Sequence, residues 1–188
     1  KGITLTLSIK ENRHDTTDFD LVNRHVPSDL QATDIDNHAT AMATIAGGAG
    51  NSSMKGLGVA RDVKFSSSSF ENIFPDPEDY YILNDIKVQN HSYGTGVESA
   101  YGAAAELYDR RSYDISSLLH VFSAGNSRED STSEGLYKGL FGFANLTGNY
   151  KLAKNVLTVG AVDTAEQMMF FSSHGPAFDG RIKPENVA

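Results

Sequence analysis

Four short stretches of this sequence carry side chains suited to chemistry: Glu11, His38, the run Asn90-His91-Ser92-Tyr93-Gly94 and the run Ser123-Ala124-Gly125-Asn126-Ser127. An imidazole is the side chain best matched to moving a proton near neutral pH. His38 opens a stretch of helical periodicity, where the positive end of a helix dipole favours the neutral, base-competent ring. A carboxylate at the end of a neighbouring strand would fix the tautomer of that ring, as the acid does in a Ser-His-Asp triad, and Glu11 is so placed. Ser-Ala-Gly-Asn after an apolar strand makes a tight turn. Its glycine lets another backbone approach, and its asparagine offers an amide to a developing oxyanion. Taken singly, each feature has a plainer explanation: a buried histidine with satisfied hydrogen bonds, a surface glutamate, a turn that is only a turn. Their joint order gives them weight.

These residues need elements to hold them. Residues 3–9 alternate branched apolar residues with Thr and Ser, which is strand periodicity. A charged, turn-rich passage follows to about residue 36. Its acidic part at residues 15–20 reads as a solvated loop, with calcium binding the alternative. His38, Met42 and Ile45 then share one helical face, with Asp36 or Asn37 as cap. The Ala, Thr and Gly around them predict an internal helix packed closely against its neighbours. Further along, residues 58–60 and 63–65 suggest a strand, 76–83 a short helix and 86–90 a strand. Residues 97–111 follow as an amphipathic helix with Val97, Tyr101, Ala104 and Tyr108 on one face. The apolar run 118–123 suits a strand covered on both faces. A helix around 134–145 and a strand at 155–160 complete the series. Strands alternating with helices predict an α/β class with a mostly parallel sheet, and ligands gather outside the carboxyl ends of such strands.

The composition excludes several classes. At 188 residues one domain is expected, and the 39% apolar share suits a soluble globule. No stretch reaches the roughly 18 apolar residues of a membrane span. The net charge of −8, without a Lys/Arg cluster, argues against nucleic acid and anionic membranes as partners. Cysteine is absent, which removes disulfides, thiolate metal sites and cysteine nucleophiles together. The N-terminus begins directly on the strand-like run, so a leader was either removed or never present.

In collinear order the sequence resembles the subtilase (subtilisin-like) family. Asn37-His38-Ala39-Thr40-Ala41-Met42-Ala43-Thr44-Ile45-Ala46-Gly47 is similar to the family's histidine helix, with Ala39 and Ala41 in place of its usual Gly and second His. Gly56-Leu57-Gly58-Val59-Ala60, Val88-Gln89-Asn90-His91-Ser92-Tyr93-Gly94 and Val121-Phe122-Ser123-Ala124-Gly125-Asn126 follow. The most specific blocks are Asn155-Val156-Leu157-Thr158-Val159-Gly160-Ala161-Val162-Asp163 and Phe171-Ser172-Ser173-His174-Gly175-Pro176 with its continuation to Glu185.

The resemblance implies a three-layer subtilisin-like α/β fold, here incomplete because the chain ends before the serine helix, and a serine endopeptidase activity. His38 would be the general base and Asn126 the oxyanion donor. Ser92, Tyr93 and Gly94 would form one wall of the substrate cleft by pairing with extended peptide. Ser123, Ala124 and Gly125 would line the pocket for the side chain before the scissile bond. The family's Asp is replaced at the corresponding position by Glu11, preferred here over Asp15 or Asp36 as the acid. Glu11, His38 and Asn126 are expected to converge on one cleft.

The family's Gly-Thr-Ser block is not found, so the nucleophile is expected outside these residues and the chain alone is expected to be close to inactive. The implied partners are a polypeptide substrate and the serine-bearing remainder of the same precursor. No cofactor or metal is required, calcium is possible, and the location would be secreted or cell-envelope. A catalytically inactive peptide-binding or scaffold relative is the alternative. A nucleotide-binding domain is remote, because no Gly-x-Gly-x-x-Gly turn follows the first strand.

Overall fold

Alternation along the first strand decides how the N-terminal half is layered. In a computed structural model describing residues 5–188, the chain divides into two compact units, Lys1–Ser92 and Tyr93–Ala188. In the first unit, strand β1 (Thr6–Lys10) lies between β2 (Lys64–Ser68) and β3 (Ile86–His91), parallel to both. Residues 3 and 4 of the predicted first strand lie outside the described residues. Successive side chains of a strand point to opposite faces. Ile9, with Leu7 partly buried beside it, packs with Phe65, Val63 and Leu21 against Ala43 of helix α1 (Asn37–Gly47). Ser8 and Lys10 turn the other way. Ser8 meets Tyr80 of helix α2 (Glu78–Leu83), and Lys10 meets Asp76 just before that helix. A helix on each face of a parallel sheet gives this unit three layers.

The chemistry of each segment explains where the elements differ from expectation. Asp36 caps α1 as predicted, its Oδ2 accepting from the His38 amide at 3.2 Å. The face α1 buries, however, is Ala39, Ala43 and Gly47, while Ile45 is 64% exposed. Small residues four apart let the helix lie close to the sheet, and the bulkier face is turned outward. Residues 58–60 form no strand. The Gly58 and Ala60 amides donate to Gly48 and Ala46 carbonyls, wrapping the end of α1, and only Lys64–Ser68 runs in register with β1.

In the second unit β5 (Leu157–Gly160) lies between β4 (Leu119–Ser123) and β6 (Asn186–Val187), again parallel. Helix α3 (Ala103–Asp114) packs on β4 and on a 3-10 turn at Asn149–Leu152. Tyr108, Phe122 and Tyr150 form its aromatic centre, with ring centroids 5.1 and 5.3 Å apart along that series. The predicted helix at 97–111 begins six residues late. Val97 bridges Thr147 instead, and Gly102 is extended before the first turn. The predicted helix at 134–145 is a series of turns. Gly135, Gly139, Gly142 and Ala144 take φ of 79, 74, 72 and 49°, a left-handed conformation that breaks a helix at each of them. The short β6 had no periodicity from which to be read.

Candidate active site

Glu11 follows Ile9 at the strand period, so its side chain emerges on the α1 side of the sheet, at the carboxyl end of β1. Its amide still donates to Ser68 O at 2.9 Å, which continues the ladder and fixes that direction. His38 stands at the first turn of α1. Glu11 Oε1 meets His38 Nδ1 in a short hydrogen bond. The carboxylate is buried while 52% of the histidine side chain is exposed, so one partner is held in protein and the other faces outward. Burial pushes the Glu11 carboxyl above its ordinary pKa. The bond and charge of His38 pull it back down, and the nearby Asp36 charge adds a little to the rise. Glu11 Oε2 is buried without a hydrogen-bond partner.

The other carboxylates weighed for this role are committed elsewhere. Asp36 caps α1, and Asp15 Oδ1 accepts from the Thr17 amide and hydroxyl at 2.8 and 2.7 Å. In the acidic loop, Asp18 takes the Asp20 amide, and Asp20 takes the Ser52 amide and hydroxyl. Donor atoms of Glu11, Asp36 and His38 do lie within 4.8 Å of one another, close enough to share a cation. The cavity of about 460 Å³ between residues 27–31 and 77–84 is lined by none of the predicted site residues.

In the second unit the predicted turn leaves the carboxyl end of β4. Ala124 is buried, its amide bonded to Val159 O at 2.8 Å. Gly125 has φ +116°, and its carbonyl accepts from the Ser173 amide at 2.9 Å. Ser173 Oγ in turn accepts from the Ser127 amide at 2.9 Å. Asn126, between these two anchored residues, is exposed. The Phe171-Ser172-Ser173-His174 block braces this turn, while Asn145 Oδ1 accepts from the His174 amide at 2.6 Å.

A side chain at Gly125 would be strained by its φ and would run into Thr147 Oγ1 and Ser173 Oγ. Gly125→Ala is therefore expected to cost about 2–4 kcal/mol in urea unfolding. Gly139→Ala, at φ +74° with open space around it, is expected to cost about 1 kcal/mol. Equal losses would show that crowding at the turn contributes nothing.

Residues 4–188 match the subtilase family. The chain belongs to that family. Its fold is similar to that of the prenylagaramide maturation protease PagA, at 16% identity and a TM-score of 0.70, over 98% of this chain and 62% of that one. A cold adapted subtilisin-like serine proteinase matches at 19% identity and TM-score 0.60, over 98% and 62%. The nisin leader peptidase NisP from Lactococcus lactis matches at 16% and 0.60, over 92% and 60%. This subtilase chain thus spans less than two thirds of the length of these structures.

The remaining predicted residues fall in both units of the subtilase chain. Ser92, at the end of the first unit, accepts from Asn90 Nδ2 at 2.9 Å. Tyr93, in the second unit, has its ring 5.6 Å from Tyr150, and Gly94 is exposed. The sequence reading missed Thr147 and Lys151, which lie beside Gly94 and which no motif marks. It also gave no role to Ser173. That residue stands in the most specific sequence block, whose signal was available. No helix among the described residues is long and apolar enough to cross a membrane.

Proposed function

We propose that this subtilase chain carries the acid, the base and the oxyanion donor of a serine endopeptidase, with the nucleophilic serine supplied by a segment outside these 188 residues. The observation that supports this reading best is the Glu11 carboxylate on His38 Nδ1. It orients the ring and leaves Nε2 for a serine hydroxyl. Nε2 takes the hydroxyl proton as the serine oxygen bonds to the scissile carbonyl carbon, and the imidazolium is stabilised by Glu11, which stays ionised. The Asn126 amide donates to the oxyanion. The imidazolium then protonates the leaving amine as the C–N bond breaks, and water, deprotonated by His38, hydrolyses the acyl-enzyme. The substrate is extended polypeptide pairing with residues 92–94. The working place is secreted or cell-envelope, the serine-bearing remainder is the partner, and calcium is an optional ligand.

A fluorophosphonate probe tests this on the polypeptide that includes the serine segment. Labelling of a serine outside these residues, lost in His38→Ala, is the expected result. Labelling within them would refute the assignment of the nucleophile. No labelling at all would favour a groove that binds peptide without turnover.

A further inference from the structure

Three lysines among the described residues are buried: Lys10, Lys151 and Lys183. Two are matched by acids, Lys10 by Asp76 and Lys183 by Glu185. Lys151 is fully buried and has no carboxylate. Its Nζ donates to Thr147 Oγ1 at 2.7 Å and stands 5.9 Å from the centroid of the Tyr150 ring. Glu98 accepts from Thr95 Oγ1 at 3.0 Å and from Asn149 Nδ2 at 2.5 Å. A buried cation without a counter-charge is unfavourable, and burial lowers the Lys151 pKa to about 7. Such a group is poised to gain from an incoming anion.

Its position indicates which anion. Residues 146–148 form a floor between two segments of the second unit. On one side Val97 bridges Thr147 and the Glu98 amide donates to Leu146 O at 3.2 Å. On the other the Thr147 amide donates to Ala124 O at 3.3 Å. Ala124 belongs to the stretch read above as pocket lining, and Val97 follows the stretch read as cleft wall by three residues. Thr147 Oγ1 lies where a side chain at either Gly94 or Gly125 would collide with it, and Lys151 Nζ would be 3.3 Å from a methyl group at Gly94. Gly94 is exposed while Lys151 is fully buried, so the ammonium lies one layer beneath a surface glycine.

We propose that Lys151 is the specificity-determining residue of this pocket and selects polypeptides with Asp or Glu immediately before the scissile bond. The proposal rests on the peptidase reading and adds the substrate class. The Thr147 hydroxyl orients the ammonium, and the substrate carboxylate supplies the missing counter-charge. A site built around a buried polar group discriminates strongly against an analogue that leaves the group unpaired.

The test uses the serine-bearing protein and C-terminally amidated peptides that differ only in Glu, Gln or Leu before the scissile bond, so that the side chain is the sole carboxylate varied. Glu is expected to exceed Gln at least about 30-fold in kcat/KM. Lys151→Met should bring the Glu-to-Gln ratio, read within that variant, to within about threefold of one. Lys151→Gln serves as the second variant, and thermal melts of both establish that they fold. Equal cleavage of Glu and Gln, or a preference unchanged in both folded variants, would overturn the proposal. A fluorophosphonate reports on the peptidase reading separately, because it needs no side chain in the pocket. If it fails to label, calorimetric binding of the same peptides decides for the pocket alone. Glu favoured at least tenfold over Gln, with the difference lost in Lys151→Met, supports it, and equal binding refutes it.

Discussion

Glu11→Gln is expected to lower kcat of the proposed peptidase by about 10³- to 10⁴-fold with little change in KM. The amide fills the same space as the carboxylate but carries no charge to stabilise the imidazolium. It can also present its NH2 to His38 Nδ1, which selects the ring tautomer with its proton on Nε2, unable to accept one from serine. Glu11→Asp keeps the charge and withdraws it by one methylene. A displacement of about 1 Å at a reacting centre can cost about 10²-fold, so a loss of roughly 10- to 100-fold is expected. Steady-state kinetics on the serine-bearing protein separate these cases. In this chain by itself, ¹⁵N NMR of the His38 ring reads the tautomer without turnover. Full activity in Glu11→Gln would move the acid to Asp36 or Asp15.

The second large effect lies on the other face of β1. Asp76→Ala is expected to cost about 3–5 kcal/mol, because it leaves Lys10 buried without its partner. Lys10 Nζ meets Asp76 Oδ1 at 2.5 Å in the protein interior. Burial drives the Lys10 pKa down, and the Asp76 charge and hydrogen bond act against that. Asp76 Oδ2 also accepts from Gln89 Nε2 at 2.7 Å, and Gln89 bonds Ser8 Oγ at 2.9 Å and accepts from Tyr81 at 2.8 Å. One deletion therefore removes the acceptor of Lys10 and Gln89 from a polar network that joins two strands and a helix. Removing both charges in Lys10→Met/Asp76→Leu is expected to recover most of the loss, since an apolar pair of similar volume leaves no isolated ion. Urea unfolding of the single and double variants checks both statements. A loss below about 1 kcal/mol for Asp76→Ala would mean that water or a rearrangement reaches Lys10.

Local patterns made much of the fold legible. Residues 6–9 of the first alternation lie in β1, Asp36 caps α1 and residues 119–123 of the apolar run form β4, because period and capping are properties of neighbouring residues. Prediction failed where a distant backbone won. Val97 left its helical pattern for a bridge to Thr147, and residues 58–60 gave their hydrogen bonds to the end of α1. The glycines at 135, 139 and 142 could have warned against the helix there, since three within eight residues weaken any helix.

For the candidate site the division is similar. The order of blocks, the histidine at a helix start and the Ser-Ala-Gly-Asn turn after a strand are written in residue types, and these sufficed for the family. The sequence left three carboxylates open as partners for His38. Packing chose Glu11, because strand alternation turns it toward α1 while Asp36 is held by the helix cap and Asp15 by Thr17. Lys151 shows the same limit from the other side. A lysine in a chain carries no sign of whether an acid will face it, for that depends on which distant segments fold around it and exclude water.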